Sequence, residues 1–234
     1  MTAQNIKQQL SSLGNLQKAE HASYFFKTGK GQYGEGDMFF GCTVPETRAV
    51  SRANKSTSLK ELEKLLTDEF HECRLCALLI LIEQFGKATE EKREEIVAFY
   101  LNHTHRINNW DLVDLSCYKI LGEWLKTRDR AVLYILAQSR LLWEQRIAIV
   151  STMAFIRQND FSDTLKLSEE FLSHKHDLMH KACGWMLREV GKRDEKTLMH
   201  FLDTHSHTMP RTMLRYAIER LSGEQRAHYM TQKS

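Results

Sequence analysis

Proline is nearly missing from this chain of 234 residues: there are two, Pro45 and Pro210, beside 11 glycines, where average usage puts proline at about 5%. An all-β fold, a collagen-like repeat and a disordered linker are thereby disfavoured, because each needs frequent turn residues or lacks a core. No apolar run approaches the roughly 18 residues of a membrane span, and the start, MTAQNIKQQL, lacks the basic and apolar regions of a secretory signal. The expectation is a cytoplasmic protein with no membrane contact. Five scattered cysteines (Cys42, Cys73, Cys76, Cys117 and Cys183) are an odd number and do not form a disulfide framework, so reduced and partly buried thiols are expected. Charge of one sign is not in excess either: a formal net charge of +3 permits nucleic-acid binding without requiring it.

What remains is helix. With 42% hydrophobic residues, the chain has enough apolar material for a core, and the apolar positions recur at three and four residues. ECRLCALLILIEQF carries the pattern on Leu75, Leu78, Leu79 and Ile82, and KREEIVAFYL carries it on Ile96, Val97, Tyr100 and Leu101. The same period continues through DLSCYKILGEWL, RAVLYILAQS, WEQRIAIVSTMAFI, DTLKLSEEFL, DLMHKACGWMLREVGK, KTLMHFLD, RTMLRYAIERL and EQRAHYM. Short polar breaks separate these segments. Short helices with tight connections suit stacked helix pairs, and both an α-solenoid and a bundle meet that description. No composition shift marks a boundary, so residues 1–234 read as a single domain.

Glycine concentrates in KTGKGQYGEGDMFFGCTVPE, residues 27–46, which reads as a flexible surface loop between the first helices and the rest. Gly29, Gly31 and Gly34 satisfy G-x-G-x-x-G literally, but the dinucleotide motif needs a strand before it and a helix opening at its last glycine, and neither is predicted. Cys73-x-x-Cys76 has no second pair and lies within an apolar helix. His176 and His180 lack the glutamate that a zincin places after its first histidine. No metal and no cofactor are expected.

The run INNWDLVDLSCYKILGEWL is more informative. Asn108 or Asn109 suits a helix cap, and Asp111 suits the first turn, where carboxylates favour the positive helix end. Asp114 stands one turn after Trp110 on the same face; a site carboxylate and a merely solvated acid beside a buried tryptophan are both open. Two further tryptophans lie near cations, Trp143 by Arg146 and Trp185 by Lys181, Arg188, Lys192 and Arg193. Aromatic faces among cations suit nucleic acid, and they also occur as ordinary packing. Lys126, Arg128, Arg130, Arg140, Arg211 and Arg215 add positive charge in the same half.

Taken in order, YFFKTGKGQYGEGDMFFGCTVPETR, NNWDLVD, LWEQRIAIVSTMAFI, HDLMHKACGWMLREVGKRD and MPRTMLRYAIERL resemble the bacterial AlkD-like alkylpurine DNA glycosylases of the HEAT-like-repeat family, over nearly the whole chain. The resemblance implies an all-α fold, an α-solenoid of HEAT-like helix pairs wrapping duplex DNA in a concave, positively charged groove. It implies hydrolysis of the N-glycosidic bond of cationic N3- and N7-alkylpurines without enclosure of a flipped base. By it the catalytic aspartate falls on Asp114, the two sugar-contacting tryptophans on Trp110 and Trp185, and the groove arginine on Arg146. Tyr24 matches a cleft tyrosine, although the glycine-containing segment is longer than in the best-known members. Arg188, Lys192 and Arg215 are the candidate phosphate contacts, and Trp143 is read as packing. The expected partner is double-stranded DNA containing alkylated bases, with no obligate protein partner and a monomeric state. The competing readings are a non-catalytic HEAT-repeat protein that binds damaged or branched DNA, and a protein-interaction scaffold.

Overall fold

A computed structural model of the chain describes residues 1–231. Among these no strand forms; one isolated parallel bridge joins Met38 to Phe70. The all-α architecture expected of an α-solenoid is the one found. The described residues divide into two compact units, Met1–Ser116 and a second that begins at Cys117.

The first unit contains α1 (Ala3–Ser12), α2 (Leu16–Phe25), α3 (Val44–Ala53), α4 (Leu59–Leu66), α5 (His71–Lys87), α6 (Glu90–Asn102), a 3₁₀ turn at Thr104–Arg106 and all but the last residue of α7 (Trp110–Cys117). Helix α5 is its axis. The residues from His71 through Leu81 are all buried, and a helix apolar on nearly every side is stable only when surrounded; α1, α3, α4 and α6 pack against it. Helix starts follow the sequence. Thr43 and Glu46 form a reciprocal capping box, with Pro45 in the first turn of α3. Thr2, Asn15 and Thr89 cap α1, α2 and α6 through their side-chain oxygens. Helix α2 is the exception to burial, since none of its residues is buried.

The second unit opens with a π-helical turn, Tyr118–Gly122, and α8 (Glu123–Leu125). It continues with α9 (Ala131–Ala137), α10 (Leu142–Ser151), α11 (Met153–Ile156), α12 (Ser162–Glu170), a 3₁₀ turn at Phe171–Ser173, α13 (Asp177–Gly191), α14 (Glu195–His205), α15 (Arg211–Ala217) and α16 (Gly223–Thr231). Here α13 is central, packed by α10, α12, α14 and α15. Its approach to α15 is close because position 184 is glycine: a Cβ there would lie 2.5 Å from both the Met213 carbonyl oxygen and the Tyr216 Cβ.

The glycine-containing segment differs from a loose loop in its second half. Its last residues begin α3, and Met38 pairs with the backbone beside Phe70. The buried Glu72 carboxylate accepts the N–H groups of Phe40 at 3.1 Å, Gly41 at 2.8 Å and Cys42 at 3.1 Å. Three charge-assisted hydrogen bonds to one buried acid fix that stretch of backbone. Gly41 turns there with φ +86, and a Cβ would meet the Asn15 carbonyl oxygen at 2.1 Å, so only glycine fits. No strand precedes Gly29, Gly31 and Gly34, and no helix opens at Gly34, so the dinucleotide motif is absent in structure as well.

Candidate functional site

Helix α7 begins at Trp110 for a local reason: buried Asn109 accepts the Trp110 N–H through its Oδ1 at 2.9 Å, while its carbonyl accepts the Val113 N–H. Trp110 and Asp114, one helical turn apart, are both half-buried in the first unit. The Trp110 ring is held from α2 and the residue after it. Phe25 meets it edge-on at 5.9 Å and Phe26 stacks on it at 5.4 Å. Tyr24 is exposed, and its ring carries the Lys27 ammonium at 4.5 Å; no ring contact joins it to Trp110 among the described residues.

Beneath this aromatic cluster lies a charged one. The buried imidazole of His71 at the start of α5 stands between two carboxylates, with Nε2 2.8 Å from Asp111 Oδ2 and Nδ1 3.2 Å from Asp37 Oδ2. Arg74 closes the set, its guanidinium 2.6 Å from Asp37 Oδ1, and Asn108 donates to the same oxygen at 3.1 Å. Burial acts to neutralise His71, but the charge and hydrogen bond of Asp111, with the hydrogen bond of Asp37, outweigh it and lift the imidazole to about 9. It is therefore an imidazolium at neutral pH, donating from both nitrogens. Burial acts to raise Asp37 as well, yet the His71 hydrogen bond and the Arg74 charge hold it below its ordinary 3.8. Asp111 thus serves a buried ion pair in addition to its place at the helix start.

In the second unit Arg146 of α10 is buried, and its Nη1 donates to the Leu178 carbonyl, tying α10 to the first turn of α13. Trp185 of α13 is half-buried, next to the close contact at Gly184. Arg188, one turn on, pairs with Glu219, while exposed Lys192 lies 2.7 Å from Glu189 on the same helix. Arg215 is exposed on α15. Trp143 is half-buried on α10. Thus Tyr24, Trp110 and Asp114 fall in one unit, and Arg146, Trp185, Arg188, Lys192 and Arg215 in the other.

The histidines around the start of α13 are engaged mainly by backbone, with His174 Nε2 also 2.9 Å from Gln145 Oε1. His174 Nδ1 accepts the His176 N–H at 3.0 Å, His176 Nδ1 accepts the Leu178 N–H at 3.2 Å, and His180 Nε2 lies 2.6 Å from the His174 carbonyl oxygen. Burial, helped by the charge of His180, keeps His174 and His176 below 6.5, at His176 against the opposing charge of Asp177. Among the described residues no group of three or more histidine, cysteine or carboxylate side chains is arranged to hold a metal ion.

Sequence reasoning missed Phe25, Phe26, Phe39, Asp37, His71 and Arg74. The signal available was aromatic density, two Phe-Phe pairs within 16 residues; the ion cluster had none, because its members are far apart in sequence.

An all-α chain of short packed helices, with a half-buried tryptophan and carboxylate one turn apart on α7 and an aromatic and ionic cluster beside that tryptophan, has the architecture of helical-repeat proteins. The family model for DNA alkylation repair enzymes matches residues 6–221, and the chain belongs to that family, which gives it a role in DNA repair. Among solved structures, a predicted DNA alkylation repair enzyme from Enterococcus faecalis shares the fold with a TM-score of 0.72, covering 90% of this chain and 97% of that one at 17% identity. A search of curated proteins finds no match. Among the described residues no helix is long and apolar enough to cross a membrane.

Proposed function

We propose that the chain is a monofunctional glycosylase that hydrolyses the N-glycosidic bond of cationic N3- and N7-alkylpurines, such as 3-methyladenine and 7-methylguanine, in duplex DNA. The observation that carries this reading is the pair Trp110 and Asp114, half-buried one turn apart on α7, in a chain of the DNA alkylation repair family. Alkylation gives the purine a formal positive charge, so breaking the C1′–N9 bond returns the electron pair to a ring that leaves neutral. No acid is needed for departure. The sugar becomes oxocarbenium-like, and water adds to C1′, losing its proton.

Asp114 is the residue whose charge matches that transition state. Its carboxylate stabilises the cation and orients the attacking water or accepts its proton. The π face of Trp110 packs on the deoxyribose and favours positive charge there, and its stack with Phe26 fixes the ring plane. Trp185 takes the second sugar contact that the resemblance assigns, with Arg146 as the arginine needed for activity. Arg188, Lys192 and Arg215 contact DNA phosphates, and Tyr24 lines the cleft that receives the DNA. The ion pairs of Arg188 and Lys192 are at the surface and weak enough to be exchanged for phosphate. Base release proceeds without enclosing a flipped base.

Release of free purine from methylated duplex DNA under single-turnover conditions tests this. The wild type releases base, and Asp114→Asn slows release by about 10²-fold or more while still binding DNA. DNA binding without release by the wild type would instead make the chain a non-catalytic reader of damaged DNA.

A further inference from the structure

We propose that His71 is a positioning residue for Trp110: clamped between Asp37 and Asp111, its imidazole fixes both the first turn of α7 and the phenyl ring on which Trp110 stacks. The proposal rests on the reading of Trp110 as a sugar contact. Two paths lead from one ring to the tryptophan. Through the backbone, the Nε2–H of His71 holds Asp111, the residue that follows Trp110, at 2.8 Å. Through the side chains, the His71 ring lies 4.9 Å from Phe26, which stacks on Trp110 at 5.4 Å. Phe39, stacked on Phe26 at 5.3 Å and 4.9 Å from His71, completes the support.

The charges explain why the imidazole must be protonated to do this. Asp37 comes from the glycine-containing segment, Asp111 from α7, and Arg74 from α5; Glu72, adjacent on α5, is turned to the N–H groups of Phe40, Gly41 and Cys42. Two carboxylates balance one guanidinium only when the imidazole carries the second positive charge. Loss of its proton leaves a surplus negative charge out of water and removes one of the two ring donors, so Asp37 or Asp111 loses its hydrogen bond. Loss at Asp111 loosens the first turn of α7, which carries Trp110, and loss at Asp37 loosens the segment whose Phe39 backs the Phe26 ring. A midpoint near 9 keeps the clamp closed at neutral pH.

Nuclear magnetic resonance on the full-length ¹⁵N-labelled protein reads this directly. The Trp110 indole signal is assigned by its disappearance in Trp110→Phe, and the His71 ring nitrogens are followed from pH 6 to about 10.5, spanning the ordinary and shifted values. The expected result is one shared midpoint near 9 for both signals, absent in His71→Gln, whose neutral amide carries both N–H donors on one nitrogen and turns an acceptor oxygen to the other carboxylate. Base release at neutral pH by His71→Gln should fall by about 10²-fold, the effect of an ångström-scale misplacement, with DNA binding retained. Asp111→Asn, which keeps a hydrogen-bond acceptor, should lower the His71 midpoint and move the Trp110 step with it. A Trp110 signal that ignores the titration of His71, or wild-type base release by His71→Gln, overturns the proposal. A wild type that releases no base would refute the glycosylase reading, while the shared midpoint would still test the clamp.

Discussion

The ring of Phe26 stacks on Trp110, centroids 5.4 Å apart and planes inclined by 28°, so a residue just after α2 sets the plane of a side chain that opens α7. Such a pair contributes about 0.5–1.5 kcal/mol beyond area burial. Phe26→Leu keeps most of the apolar volume and removes the stack. The expected outcome is single-turnover base release slower by up to about tenfold at unchanged DNA affinity. An unchanged rate would show that Trp110 needs no such support.

Stability of the first unit should fall between neutral and alkaline pH. His71 is raised from 6.5 to about 9 in the folded protein, so its contribution is fully present below about 6.5 and is lost as pH rises through 9. Asp37, held below 3.8, contributes above that value and is lost only as pH falls through its lower folded midpoint. The alkaline loss attributable to His71 is roughly 3 kcal/mol. Amide exchange of α5 at several pH values, corrected for intrinsic rates, measures it; His71→Gln should flatten the profile.

The helices were legible because their signal is local. Leu75, Leu78 and Leu79 repeat at helical spacing inside α5, and all three are buried. Trp110 and Asp114 were legible as a pair for the same reason, since one turn places them on one face. Asp111 was legible only as a first-turn acid, because its partner His71 is 40 positions away in the chain and nothing near either residue announces the other. Burial of Arg146 was equally hidden: its acceptor, the Leu178 carbonyl, is a backbone atom 32 residues on. The glycine-rich stretch read as a loose loop because the acid that pins it, Glu72, lies in the next long helix.

No thiol of the native protein should react quickly. None of the five cysteines is in a disulfide, and all but Cys42 are buried. Burial, with the charges of Glu72 and Glu46, pushes Cys42 up to about 11; burial pushes Cys76 and Cys183 up to about 12 and raises Cys73 further. Since the thiolate is the nucleophile, an aromatic disulfide reagent at pH about 8, near the ordinary thiol value, should titrate the native protein slowly and five equivalents at once in denaturant. One fast equivalent without denaturant would mean that Cys42 is not held as described.

Two glycines in helices should respond oppositely to alanine. At Gly184 of α13 the new methyl would lie 2.5 Å from the Met213 carbonyl oxygen and the Tyr216 Cβ. Those are backbone and near-backbone atoms of α15 that can yield only if the helix moves. Overpacking of this kind costs about 1–3 kcal/mol, against a helix-propensity gain of up to about 1 kcal/mol, so Gly184→Ala should lower the unfolding temperature. At Gly86 of α5 a Cβ meets nothing within 4 Å, and only the propensity gain remains. Gly86→Ala, near the helix end, should therefore stabilise the protein by about 0.5–1 kcal/mol. Thermal unfolding of the two variants beside the wild type separates the effects. If Gly184→Ala proved as stable as Gly86→Ala, the packing of α13 on α15 would have to be looser than these contacts require.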